Sequence, residues 1–249
     1  MEISAYLNRI HYQGGLEPDL ENLRNLQVAH LLHVPFENLD IHRKVEIDLE
    51  GSYEKIVKRN RGGFCYELNG LFYDLLKALG YSVRLISARV FEPEKGYGPE
   101  FDHMAVLARV EEMEYLVDVG FGEFAFHPLP VELNRELEDP RGIFLFESED
   151  DRQLIVRKKI EGAEYKPEYL FTTEARVKSD FMEMCRYHQS SPLSHFTQKR
   201  ICSLAKADGR ISLTGRTLKR TTGQTIESIE LANEEEVAEA LRRHFQIEL

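Results

Sequence analysis

Cysteine is scarce in this chain. Three occur among 249 residues, Cys65, Cys185 and Cys202, an odd number with no C-x-x-C pair. That argues against a disulfide framework and for free thiols in a reducing compartment. Long apolar runs are missing too. No stretch approaches the roughly 18 residues a membrane-spanning helix needs. The opening MEISAYLNRIHYQGG has no basic start followed by an apolar run, so no signal peptide is expected. Positive charge is in deficit, with 32 Lys and Arg against 43 Asp and Glu and a net charge of −11. Such a balance argues against nucleic acid or anionic membrane as a partner. No pair of histidines has zinc spacing, so no metal is expected. There is no Gly-rich phosphate loop of the Walker or dinucleotide type, no internal repeat and no low-complexity tract. These absences leave a soluble, cytoplasmic chain.

What remains is ordinary for a folded protein: 42% hydrophobic and 30% charged residues. The length suits one or two domains with a substantial core. The first third reads as helical. Asp19 can cap a helix running to about His33, which Pro35 ends. A second helix is expected near Ser52. The clearest runs from about Cys65 to Leu79, with Leu68, Leu71, Phe72, Leu75, Leu76 and Leu79 at helical spacing and Gly80 as a stop. After Gly80 the period changes. Ser82–Phe91, His103–Val110, Glu114–Val119, Gly142–Glu147 and Leu154–Ile160 read as strands. Thr172 or Thr173 is expected to cap a helix reaching about Tyr187. Strand patterns at Lys199–Ala205 and Thr225–Leu231 precede a final helix, whose start is marked by Asn233 and Glu236. Helices, then strands, then a small mixed segment make an α+β fold rather than a doubly wound sheet.

The run RNRGGFCYELNGLF, Arg59 to Phe72, carries the first chemical signal. Gly62 and Gly63 let the chain turn into a helix, which puts Cys65 at its N-terminus. Unpaired N–H groups and the helix dipole there favour a thiolate, and the same N–H groups can bind an oxyanion. A lone cysteine is more often a small core residue. Cys185 and Cys202 take that reading; the glycines and the helix start separate Cys65 from them.

A thiolate nucleophile needs a base. His103 begins HMAVLARV, and Asp118 lies in the next strand, EYLVDVGFG. If Glu111-Glu112 is a two-residue hairpin loop, Val110 faces Met113 and His103 faces Gly120. Asp118 is then a diagonal neighbour of His103, about 7–8 Å away between backbones on the same face. An aspartate there can orient an imidazole. Glu-Glu is a poor hairpin turn, and His127 and His195 compete with His103.

RGGFCYELN (Arg61–Asn69), DHMAVL (Asp102–Leu107) and LVDVGFG (Leu116–Gly122) resemble the three catalytic segments of the arylamine N-acetyltransferases. VPFENLDIH (Val34–His42), SPLSHFTQKRICSL (Ser191–Leu204) and GRISLTG (Gly209–Gly215) resemble further blocks of that family, in order along the chain. The resemblance implies a Cys65–His103–Asp118 triad and a ping-pong reaction. An acetyl group would pass from acetyl-CoA to Cys65 and on to an arylamine, arylhydrazine or N-hydroxyarylamine. It implies a helical bundle over residues 1–84, a β-barrel over 85–172, a connecting helix over 173–189 and an α/β lid over 190–249. The catalytic core would be of the cysteine-protease and transglutaminase kind. By the same resemblance, Phe36 and Phe124 are candidate walls of an acceptor slot, and Arg61, Glu37 and Asn69 support the triad. Gly98, Pro99, Glu100 and Phe101 are the candidate cofactor segment. Glu100 and Asp102 add negative charge there, which Arg216, Lys219 or Arg220 can offset. A cysteine hydrolase with the same triad is the rival enzyme, and a non-catalytic module of the same fold is the rival without chemistry. The oligomeric state stays open.

Overall fold

Asp19 caps the helix Leu20–His33, its Oδ1 accepting from the Asn22 N–H at 2.8 Å. Cys65–Ala78 forms the central helix, with Leu68, Leu71, Phe72, Leu75 and Leu76 all buried. The computed structural model describes residues 1–160 and 162–249. A short helix, Ile3–Arg9, completes the group around the central one, and the segment expected to be helical near Ser52 is a single wide turn, Glu54–Lys58. These elements share one apolar cluster, which includes Tyr6, Leu23, Leu26, Phe64, Phe72 and Met104.

The middle of the chain is a nine-stranded antiparallel sheet. Its spatial order is Leu129–Pro130, Met113–Val117, His103–Val110, Ser82–Glu92, Lys166–Thr172, Gln153–Lys159, Gly142–Ser148 and Leu137–Asp139, with Gly96–Tyr97 paired separately to Ser82–Glu92. The sheet curls until it nearly closes. Leu133, just past one end, bridges Phe146, and the Asn134 N–H donates to the Phe146 carbonyl at 2.8 Å. Ile86, Leu107, Phe124, Phe144, Phe146 and Tyr169 fill its interior. The hairpin register is the one expected: Val110 faces Met113 and Val106 faces Val117. Glu111 takes φ +53°, the left-handed geometry such a tight turn demands. Pairing stops at Val117, so Asp118 leaves the ladder.

Two expectations need correction. Lys166–Thr172 is a strand, paired on both sides, so neither Thr172 nor Thr173 caps a helix. The helix that follows begins later, at Met182, after a 3-10 turn Lys178–Phe181. β-branched and aromatic residues in KPEYLFT fit a pleated strand between two neighbours, and that sheet environment outweighs any local cap signal.

The last part is a second antiparallel sheet, Phe36–Glu37, Ile201–Lys206, Gly209–Thr214, Thr217–Thr222 and Thr225–Glu230. Its first strand comes from the N-terminal region. The helix Glu234–Ala240 covers one face; Asn233 Oδ1 accepts from the Glu236 N–H at 3.0 Å. Glu236 reaches back to the Ala232 N–H at 2.8 Å, one residue beyond the reciprocal partner of a simple capping box.

Candidate active site

Cys65 is the first residue of its helix, with Phe64 extended before it. Gly62 and Gly63 precede it, but neither has positive φ. Gly62 serves close packing instead: a Cβ there would lie 2.2 Å from the Pro35 carbonyl oxygen. Behind the helix start lies a buried ionic cluster. Arg61 reaches Glu37 Oε1 through Nε at 3.0 Å and through Nη2 at 2.6 Å, and Nη2 also donates to Asp40 at 3.0 Å. Lys55 Nζ lies 2.8 Å from Asp40 and 2.9 Å from Glu67. Glu67 Oε2 also accepts from the Phe64 N–H at 2.8 Å, which ties the cluster to the turn before Cys65. Two cations face three carboxylates. Burial pushes the Glu67 carboxyl up, and although Lys55 pulls it back it stands at about 7.

The Asp118 loop lies directly on this helix start. A Cβ on Gly120 would come 2.9 Å from the Cys65 Cα and 3.0 Å from its carbonyl oxygen. Only glycine allows that approach. Asp118 is fully buried and receives five hydrogen bonds. Oδ2 accepts from His103 Nε2 at 2.7 Å and from the Tyr169 hydroxyl at 3.1 Å. Oδ1 accepts from Asn69 Nδ2 at 2.8 Å and from the N–H groups of Gly120 and Phe121 at 2.9 and 3.0 Å. Burial alone would raise this carboxyl. The His103 charge and hydrogen bond, then Asn69 and Gly120, outweigh it and hold the group below its ordinary range. Asn69 donates also to the Met104 carbonyl at 2.6 Å and accepts from the Val119 N–H at 2.9 Å. It thereby joins helix, His103 strand and Asp118 loop. Because Nε2 of His103 is committed to Asp118, Nδ1 is the nitrogen left for a reacting proton.

Cys65 and His103 line one cleft of about 830 Å³, large enough for a cofactor-sized ligand. Cys65 is 5% exposed. Burial pushes its thiol well above the ordinary range. Cys185, Asp102 and Asp118 push the same way, and the Tyr66 backbone N–H pulls against them. Burial and the nearby carboxylates thus oppose the ionisation that the helix start favours.

Other expected residues divide. Phe36, Gly98 and Pro99 line the cleft. Phe124 does not; it sits inside the barrel against Phe144 and Tyr169, at ring-centroid distances of 5.1 and 5.3 Å. Its neighbour Phe121 lines the cleft in its place. The loop after Asp118 turns, and only the tertiary path decides which phenylalanine faces out. Glu100 points away to Arg176 at 3.3 Å, and Phe101 packs on Phe181 at 5.2 Å; neither lines the cleft. The basic residues on its wall are Arg89, Lys95 and Arg210, not Arg216, Lys219 or Arg220. His127 lies beside Asp139 at 3.4 Å, outside the cleft, whereas His195 lines it. Tyr169 and His188 carried no local signal, since each reaches the site across at least 50 residues of sequence from Cys65, and Phe196 fell within the block Ser191–Leu204 without being singled out. Among the described residues, no group of three His, Cys, Asp or Glu side chains is placed to hold a metal ion.

A family model described as N-acetyltransferase matches residues 19–249. A Gallus gallus protein, the pineal gland arylamine N-acetyltransferase isozyme NAT-10, is 35% identical over all of this chain and 95% of its own length. The chain belongs to the arylamine N-acetyltransferase family. Human arylamine N-acetyltransferase 1 is 31% identical, again over all of this chain and 95% of its own. Among solved structures, the Mycobacterium marinum arylamine N-acetyltransferase matches with a TM-score of 0.91 at 30% identity, covering 99% of this chain and 93% of that one. The same enzyme in complex with CoA matches with a TM-score of 0.90 at 31% identity, with the same coverage. The family's mixed fold with a nearly closed sheet is thus present here. No helix among the described residues is long and apolar enough to cross a membrane.

Proposed function

We propose that this chain transfers an acetyl group from acetyl-CoA to arylamines, arylhydrazines or N-hydroxyarylamines, through an acetyl group held on Cys65. The observation that carries the reading is a cysteine at a helix start in the same cleft as a histidine whose far nitrogen is fixed by a buried aspartate. His103 Nδ1 takes the Cys65 proton as the sulfur attacks the thioester carbonyl. The C–S bond to CoA breaks, and the proton passes to the leaving sulfur. In the second half the amine attacks the acetyl-cysteine, His103 takes the amine proton, and the Cys65 thiol is restored. Burial opposes ionisation of the sulfur, and the imidazole that takes its proton couples ionisation to attack. The N–H groups at the helix start are the donors for the developing oxyanion.

Asp118 orients His103; Asn69, Glu37 and Arg61 hold the elements beneath it. Phe36 and Phe121 form the aromatic walls for the acceptor ring, and Gly98 and Pro99 the backbone stretch along which the donor lies. Arg89, Lys95 and Arg210 are the cations available to its phosphates. The second sheet acts as a lid over a transglutaminase-like core. Three free cysteines suit the cytoplasm. The test is mass spectrometry after mixing with acetyl-CoA. An adduct of about 42 Da on the Cys65 peptide is expected, discharged by an arylamine and absent in Cys65→Ala and Cys65→Ser. Peptide cleavage with no such adduct defeats the reading in favour of a hydrolase.

A further inference from the structure

Asp102 stands one residue before His103 and carries a second imidazole. Its Oδ1 lies 3.1 Å from His188 Nε2, and its Oδ2 accepts from the Val90 N–H at 3.3 Å. The other nitrogen of His188, Nδ1, lies 3.1 Å from Ser194 Oγ. Asp102, His188 and Ser194 all line the cleft that holds Cys65 and His103. His188 comes from the helix Met182–Ser190, 86 residues from Asp102.

The pair is held against the residues on either side of the sulfur. The His188 ring packs on Phe64 and Tyr66 at centroid distances of 6.0 and 6.3 Å. The Tyr66 hydroxyl donates to the carbonyls of Phe101 and Asp102 at 2.9 and 3.0 Å. Asp102 lines the same cleft as the sulfur, and the charges of Asp118 and Asp102 both oppose a negative charge on it. Asp118 is matched by His103. Around His188, Asp102 accepts, and Ser194 Oγ can either accept or donate. Asp102 is a carboxylate. Ser194 Oγ has two lone pairs, one of which serves the Phe196 N–H at 3.4 Å. A doubly protonated ring thus finds an acceptor at each nitrogen.

We infer that His188 and Asp102 form an ion pair that neutralises the Asp102 carboxylate in the cleft that holds Cys65, which makes His188 a positioning residue for the ionisation of the sulfur. The other charged groups nearby do not replace it. His103 is engaged by Asp118, while Glu92 and Lys95 pair with each other at 2.7 Å on exposed side chains. His195 stacks beside Phe196 at 3.8 Å and carries no carboxylate partner within salt-bridge distance among the described residues. The inference rests on Cys65 being the nucleophile, so its test reads the sulfur rather than acetyl transfer.

The experiment is the pH dependence of Cys65 alkylation by iodoacetamide, located by peptide mass spectrometry. His188→Gln leaves Asp102 unmatched and is expected to move the midpoint up by about one pH unit; Asp102→Asn is expected to move it down by about as much. The double variant is expected within about 0.3 unit of the parent, since a neutral pair then replaces an ion pair of zero net charge. A structural histidine moves both single variants the same way or neither, and either result overturns the ion pair. Cys185 is the internal control, because its sulfur is buried in the core. If a single variant exposes Cys185 to reagent, Ser194→Ala decides. It removes only the second acceptor and is expected to raise the midpoint by a few tenths of a unit; no rise overturns the proposal. Shifts of the expected sign in a chain that forms no acetyl-Cys65 leave the ion pair standing and sink the transferase reading.

Discussion

At the residue scale the site turns on how Asp118 is held. Five donors converge on one buried carboxylate, and only one of them is the histidine. Asp118→Asn replaces an acceptor-only group with one that must donate. The amide NH2 then faces donors, and His103 loses the partner that fixes its tautomer. Transfer activity is expected to fall about a hundred- to ten-thousand-fold, measured as kcat/KM for an arylamine. Its stability has a sign as well. The carboxyl is held below its ordinary range when folded, so its ionised form stabilises the fold above the unfolded pKa. That stability is lost as pH falls through the lower, folded value. Acid unfolding of Asp118→Asn is expected to lack this arm when followed by circular dichroism. The Asp-His pairing was legible only in part: the two-residue turn set the strand register, but the ladder ends at Val117, and the family resemblance rather than the register named Asp118. The Asn69 and Tyr169 contacts were not legible, because both arrive from other elements.

At the element scale the helix Cys65–Ala78 depends on two close approaches. Gly120→Ala drives a methyl into the Cys65 backbone and to within 2.7 Å of Asn69 Nδ2. Neither the backbone nor the fully bonded Asn69 can give way, so the Asp118 loop must lift. Acetylation of Cys65 is expected to slow at least tenfold in rapid-quench measurement while the far-ultraviolet spectrum is retained. The ionic cluster behind the helix makes a separate prediction. Glu67 titrates near 7 in the fold because burial favours its neutral form. The folded state therefore keeps a proton that the unfolded chain has released. Stability from this group is full below the unfolded carboxyl range and falls as pH rises towards about 7. Glu67→Gln, which retains an oxygen for the Phe64 N–H, is expected to flatten that slope. It should raise stability at pH 8 by about 1–3 kcal/mol in urea unfolding. Nothing in ELNG announces this cluster, because Lys55, Glu37 and Asp40 come from other turns.

For the whole molecule, one small side chain joins the two ends of the sequence. Asn38 Nδ2 donates to the carbonyls of Phe196 and Lys199 at 3.0 and 2.9 Å, and its Oδ1 accepts from the Ile201 N–H at 2.6 Å. Phe36 and Glu37 pair with Ser203 and Cys202 beside it. Asn38→Ala leaves three backbone groups unpaired where the second sheet meets the helices. It is expected to cost about 2–4 kcal/mol and to raise proteolysis between residues 190 and 200 first. The helices from Asp19 and Cys65 and the Ser82–Val117 meander were readable, since a 3.6-residue or two-residue period and a turn suffice to specify them. The segment after Lys166 was misread. Its strand is defined by neighbours on both sides rather than by its own pattern.

The sequence alone determined the helix that begins at Cys65, the hairpin that brings His103 near Asp118, and the family to which those segments point. Each of these depends on short-range backbone geometry and on residue types a few positions apart. Tertiary structure alone decided that Phe121 and not Phe124 faces the cleft, that Glu100 turns away from it, that burial opposes ionisation of the sulfur, and that His188 meets Asp102. Those outcomes depend on desolvation and on contacts between segments distant in the chain, where no local period carries information.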